Sequence, residues 1–421
     1  MRHFLAKPVI ALLLVQLVAA ALPPSTLAQN GQDDAPAWTV TDQREIDVDG
    51  ELVSLSPDGN WIAGLGDDQQ FCIWAVADLA ATCEDTPFPP LTASFTWAPD
   101  SSAIAWSSDA ARLLIDSDIM LFDIASMTLE NLTDTPDEPS RASFSDEASP
   151  PILMDVFPTW SPDGETITFI RSSFSPDAVP NTHIMNVDPQ TGDVEQYFVI
   201  PTPQFMVVYS LMFYEPDGSL LVSILPPRPD SGVTGIWRID PGGTRLDKVL
   251  EGGESSEFPL PYMTDLSADG RWLSLMSPVA FGNPEADLDP YALFDLDTGE
   301  LSIFSGDVRP SATATFGGPE DQLIYPTLDA GTKDIVITIG SEPLDETFPV
   351  GVTVGGDNWA ANNTMLLPYL GRSSDDAGIL LTLTPTGGDR SDDGHRIADP
   401  SPTPKPPCGC VPPPDGVISI P

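Results

Sequence analysis

Acids and arginines are the residues of this chain whose type and spacing can do chemistry. Past the first few residues the only histidines are His183 and His395, so neither an H-E-x-x-H pattern nor a metal-spaced histidine cluster can be drawn. There is no G-x-S-x-G nucleophile elbow. Carboxylates, in contrast, crowd together. Asp134, Asp137, Glu138, Asp146, Glu147 and Asp155 fall in one stretch, and such density can hold calcium, although no D-x-D-x-D-G run occurs there. Asp47-Val48-Asp49-Gly50 and Asp295-Leu296-Asp297-Thr298-Gly299-Glu300 come closer in spacing, yet both read as turns. The expectation is no cofactor, with calcium as the alternative. Paired carboxylates for glycoside cleavage would suit so acidic a chain, but nothing singles out a pair, so no catalytic residue is assigned.

Arginine is scarce, and its placement is informative. Arg112, Arg141, Arg171, Arg228, Arg309 and Arg372 all lie in or beside long irregular segments. A guanidinium takes a carboxylate through two parallel hydrogen bonds, so Arg141, Arg171, Arg228, Arg309 and Arg372 form the candidate binding set. The plainer reading is that each one neutralises neighbouring aspartates. Among the cysteines, the segment F-C-I-W-A-V-A-D-L-A-A-T-C reads as two short strands around a turn near Ala77-Asp78. That register puts Cys72 opposite Cys83, within bridging distance. Cys408-Gly409-Cys410 admits a strained local bridge, a free pair or an intermolecular bond.

The elements that would position these residues repeat along the chain. Pro158-Thr-Trp-Ser-Pro-Asp-Gly-Glu-Thr-Ile-Thr-Phe-Ile170 is the clearest copy. Others begin at Ser54, Phe95, Phe213 and Asp265, with weaker ones at Thr315 and Asn358. Anchored on the proline of S-P-D-G, the seven copies fall at Pro57, Pro99, Pro162, Pro216, Ala268, Pro319 and Ala361. In the turn, proline presets φ, aspartate suits the next position and glycine accepts the left-handed geometry that follows. Alternating apolar residues on both sides make the motif a hairpin. A second hairpin follows in each unit, as in I-M-L-F-D-I then T-L-E-N-L-T. Each unit therefore holds four antiparallel strands, a to d, and a period of this length is that of a propeller.

With Trp160 to Gly164 as the full match, these repeats resemble the TolB-type propeller repeats, cousins of the WD-repeat propellers. The resemblance covers roughly residues 38 to 395 and implies a seven-bladed, all-β propeller of four-stranded antiparallel blades. It does not imply one function, because this fold carries binding, scaffolding and enzymatic roles alike. The alternating segment Trp38 to Val48 is expected to complete the last blade, whose own fourth strand, near Asp389 to Ile397, is poor, and so to close the ring.

The expected organisation is a signal peptide over residues 1–28, a propeller over 36–399 and a proline-rich tail, expected to be disordered, over 400–421. The leader has Arg2 and Lys7, an apolar run from Val9 to Leu22 and a cleavage site at Thr26-Leu27-Ala28. The protein is accordingly read as exported: periplasmic, cell-envelope-associated or extracellular, with no membrane insertion after cleavage. Asp and Glu number 63 against 17 Lys and Arg, a formal charge of -46. Such a surface repels nucleic acid, whose recognition needs a basic footprint. In a four-stranded meander the a–b and c–d turns share one end and the b–c and d–a loops the other. The long segments are all of the second kind, and long loops on a rigid scaffold are where binding concentrates. The reading is a monomeric, non-catalytic binding or scaffold propeller that meets a protein, peptide or glycan on the b–c/d–a face. The alternative is a secreted propeller hydrolase or lyase with an acidic/Arg site at the channel mouth.

Overall fold

A computed structural model describes residues 37–48, 50–86, 90, 94–108, 117–133, 152–174, 181–200, 211–225, 232–253, 256–276, 291–304, 314–318, 321–328, 331–332, 334–355, 358–369 and 377–386. The chain divides into two units, Met1–Thr386 and Gly387–Pro421, and every described residue lies in the first. The leader, the proline-rich tail, Cys408, Cys410 and the Asp389 to Ile397 segment lie outside the described residues.

Among the described residues the fold is all-β: a seven-bladed propeller of antiparallel sheets, six of them meanders in chain order and the seventh completed by the chain start. Blade 1 is Gly50–Leu55, Trp61–Gly66, Phe71–Ala75 and Ala81–Glu84; blade 2 is Thr96–Trp97, Ala103–Ser107, Ile119–Asp123 and Thr128–Asn131. Blade 3 is Ile152–Trp160, Ile167–Phe174, Asn181–Val187 and Val194–Ile200; blade 4 is Met212–Tyr214, Leu220–Ile224, Gly235–Ile239 and Leu246–Glu251. Blade 5 is Tyr262–Leu266, Trp272–Met276, Tyr291–Asp295 and Leu301–Phe304; blade 6 is Thr315–Gly317, Gln322–Leu328, Ile335–Ile339 and Glu342–Phe348. Blade 7 joins the two ends of the ring. Thr364–Pro368 and Gly378–Thr386 are its strands b and c, and Ala37–Ile46 from the chain start is its strand d. The closure expected from Trp38 to Val48 is therefore present. Strand a is the irregular member of this blade, represented by the bridges Val352 to Tyr369 and Trp359 to Met365.

The turn that defines the repeat is a backbone device, and it survives where the sequence motif fades. The residue two past each anchor has positive φ in all seven copies: Gly59 (74°), Ser101 (63°), Gly164 (70°), Gly218 (86°), Gly270 (73°), Asp321 (54°) and Asn363 (60°). Glycine reaches this region freely, and Asn and Asp tolerate it best among the rest. Around the turn, Ser56 Oγ donates to Asp58 and accepts from the Trp61 amide; Ser161 does the same with Asp163 and Thr166, and Ser267 with Asp269 and Trp272. The motif thus closes its own polar groups.

Blades stack face to face, so inner strands are buried on both sides and read as apolar runs. Strand b is wholly buried in Ala103–Ser107, Leu220–Ile224 and Thr364–Pro368, whereas the outer strands Ala81–Glu84 and Thr128–Asn131 alternate. The core therefore lies between sheets: Phe71 of blade 1 stacks on Trp106 of blade 2 at 4.3 Å between ring centroids. The hairpin of blade 1 has the register its cysteines call for. Cys72 faces Cys83 and the two are bridged, with Cα atoms 4.1 Å apart.

Connections sort by end. Those joining a to b or c to d are short, such as Ser56–Asn60 and Val76–Ala80. Those joining b to c or d to a include the long segments 108–118, 132–151 and 277–290. In a meander the two kinds leave opposite ends of a sheet.

Candidate functional site at the long-connection end of blades 2 and 3

Blade 3 has long strands, and at its long-connection end three polar side chains stand in one cross-strand row. Asp155 on strand a faces Arg171 on strand b, which faces His183 on strand c. Asp155 interrupts the apolar strand I-L-M-D-V-F-P-T-W and is fully buried, so it demands a partner. Arg171 supplies it as a fork: Nε donates to Oδ1 at 2.7 Å and Nη2 to Oδ2 at 2.6 Å. The guanidinium lies 5.4 Å from the centroid of the Phe169 ring and keeps its side chain 19% exposed. His183 Nδ1 is 2.8 Å from Gln196 Oε1.

Blade 2 supplies the opposite wall. The Asp155 amide donates to the Ser117 carbonyl at 2.9 Å. Asp118 stands at the head of strand c, where Asn131 Nδ2 donates to it at 2.8 Å and Thr133 Oγ1 at 3.4 Å. Ser107 Oγ accepts from the Phe157 amide at 2.9 Å. One carboxylate, Asp155, is thus forked to the guanidinium, and a second, Asp118, adds its charge nearby. Burial pushes the Asp155 carboxyl above the usual carboxylate range, against the pull of Arg171 and Thr133, and the charge of Asp118 adds to the push. Arg171 stays a cation: burial opposes its charge, but Asp155 and Asp118 more than offset that.

Of the five candidate binding arginines, Arg171 is placed, and it is spent on Asp155. Arg141, Arg228, Arg309 and Arg372, with Arg112, lie outside the described residues, as do Asp134, Asp137, Glu138, Asp146 and Glu147. Asp295, one of the turn acids, is also occupied: it accepts from Arg271 Nη2 at 2.9 Å and from the Asp297 and Thr298 amides. Among the described residues no group of three or more His, Cys, Asp or Glu side chains is placed to hold a metal ion, and no helix is long and apolar enough to cross a membrane. Sequence reasoning missed Asp118 and Thr133 as members of the cluster. The signal for Asp155 was present, a lone acid inside an apolar strand.

No family model and no curated protein sequence matches the chain. Among solved structures, an oligogalacturonate lyase in complex with manganese matches over 83% of this chain and 98% of its own, with TM-score 0.53 and 14% identity. An oligogalacturonate lyase from Vibrio parahaemolyticus matches over 83% and 94%, with TM-score 0.51 and 11% identity. TolB from Acinetobacter baumannii matches over 72% of this chain at TM-score 0.42 and 19% identity; this chain spans 65% of its length, just under two thirds. At such identities the likeness to the lyases shows the fold alone. The sevenfold turn, the interleaved closure and the sheet order make this chain a seven-bladed β-propeller.

Proposed function

We propose that the protein is an exported, non-catalytic binding propeller that presents its b–c/d–a loops to a protein, peptide or glycan. One observation carries the reading: the long connections of the described sheets all leave the same end of their blades, while the opposite end is closed by short, self-satisfied turns. Rigid blades with variable loops at one end are the arrangement that recognition uses. The Asp155–Arg171 fork fits this role as a brace beneath the loops. The Cys72–Cys83 bridge fits an oxidising compartment, in keeping with export.

The test is affinity capture from the cell-envelope fraction with the mature chain, beside a glycan array. Shortening residues 134–151 and 277–290 to Gly/Ser linkers should abolish capture while leaving the thermal transition in place. Capture that survives both shortenings but is lost on changing Asp58, Asp100 and Asp217 in the a–b turns would move the binding surface to the other end. Turnover of an acidic oligosaccharide by the purified chain would replace binding with catalysis.

A further inference from the structure

At the seam between blades 2 and 3 a fully buried carboxylate and a partly exposed guanidinium are joined in one fork. The groups around the Asp155–Arg171 pair come from four places. Blade 3 contributes Arg171 on strand b, with His183 the next residue outward on strand c. Blade 2 contributes Ser117 and Asp118 ahead of strand c, and Thr133 after strand d, next to Asn131. Arg171 is the single fixed cation among these described groups: Asp155 takes its fork and Asp118 adds a second negative charge. Asp155 has no exposed surface, whereas the Arg171 side chain keeps 19% of its own. A carboxylate without water depends on its fork; a guanidinium with an exposed edge has an alternative in solvent.

We propose that the Asp155–Arg171 pair is a proton-operated latch, in which protonation of Asp155 frees the Arg171 fork to take a carboxylate borne by the partner on the long-loop face. The proton comes from solvent hydronium and forms one O–H bond on the carboxyl, leaving water behind. The hydrogen bond from Arg171 to the protonated oxygen breaks, the other falls to a weaker bond to a neutral carbonyl oxygen, and apart from the new O–H no covalent bond changes. The nearby charge of Asp118 favours keeping the guanidinium a cation throughout. The direction of the linkage favours a latch over unfolding. A carboxyl held above its unfolded value by burial binds its proton more tightly in the folded chain, so acidification down to about 3.9 adds to stability through this group. The ring stays closed while the latch opens.

The partner half of the proposal rests on the binding reading above; the latch itself does not. The test therefore uses no partner: the Nε–H signal of Arg171 in the 15N-arginine-labelled full chain, assigned by its loss in Arg171→Lys, followed from neutral to acid pH. The expected result is a shift with a midpoint above about 3.9 that is absent in Asp155→Asn. Should Asp155→Asn fail to fold, Asp118→Asn serves: removing the like charge should lower the midpoint. A signal that moves only at or below about 3.9, or a midpoint that neither variant alters, overturns the latch. If the latch holds and envelope capture nevertheless shows no acid dependence, the carboxylate partner is wrong and the latch stands alone.

Discussion

At the residue scale, the tryptophan of the W-S-P-D-G motif is a pin between blades. Trp97 Nε1 donates to Ser54 Oγ of blade 1 at 2.9 Å, and Trp160 Nε1 to the Thr96 carbonyl of blade 2 at 3.2 Å. The pin is not repeated in blade 7: Trp359 stands at the same place, but its Nε1 and the neighbouring Asn358 Oδ1 are both buried without a hydrogen bond. Trp97→Phe should cost about 1–2 kcal/mol for the hydrogen bond, and in a cycle with Ser54→Ala the two effects should fail to add by about 1 kcal/mol. Urea unfolding of the four proteins measures this, and additive effects would mean that the ring packs without the bond mattering. Asp295 offers a second residue-scale prediction. Arg271 and two turn amides hold its carboxyl down to about 2. Its folded value lies below the unfolded one of about 3.9, so its contribution is whole above that value and is lost as pH falls through about 2. The stability gap between wild type and Asp295→Asn should accordingly narrow from pH ~5 to ~2; a constant gap would show that the charge of Asp295 is not what stabilises.

At the scale of elements, the closing strand Ala37–Ile46 does more than complete a sheet. Trp38 Nε1 donates to Gln322 Oε1 of blade 6 at 2.6 Å, and its ring meets Trp359 edge-on at 4.9 Å between centroids. At the other end Arg44 Nη2 donates to the Val76 carbonyl of blade 1. One strand therefore ties blades 6, 7 and 1. Trp38→Ala should cost about 3–5 kcal/mol, the usual loss for a large buried aromatic, read as a shift in the urea midpoint; a loss under about 1 kcal/mol would show that strand pairing alone closes the ring. The strand itself was legible in the sequence, because W-T-V-T-D-Q-R-E-I alternates and the last module wants an outer partner. Which strand of blade 7 would be weak was not. The outer place is filled by the chain start, and it is the inner strand that is reduced to two bridges. The sixth and seventh turns were the faintest repeats, with Asp321 and Asn363 where four of the other five copies have glycine. Backbone geometry counts them as full members, since both residues tolerate left-handed φ.

At the scale of the whole molecule, local signals explain why the fold was readable and the site was not. Turns, alternation and the Cys72–Cys83 register are short-range, and each was legible from the chain. Asp155, Arg171 and Asp118 meet only when two sheets stack, and stacking leaves no periodic trace on charged residues. The charge total is a global quantity of another kind, and it makes a prediction that no single contact does. Among the described residues Arg171, Arg238, Arg245, Lys248 and Arg271 are each paired with acids, so the surplus behind the net -46 repels itself in the compact state. Salt shortens the reach of that repulsion to about 10 Å at 0.1 M and about 3 Å at 1 M, while the buried fork of Asp155 and Arg171 is screened far less. Added sodium chloride should therefore raise the thermal transition at neutral pH, with most of the gain below about 0.3 M, where the screening length changes fastest. A transition that falls with salt would mean that the ion pairs outweigh the surplus, and that the acids are spaced widely enough around the ring to ignore one another.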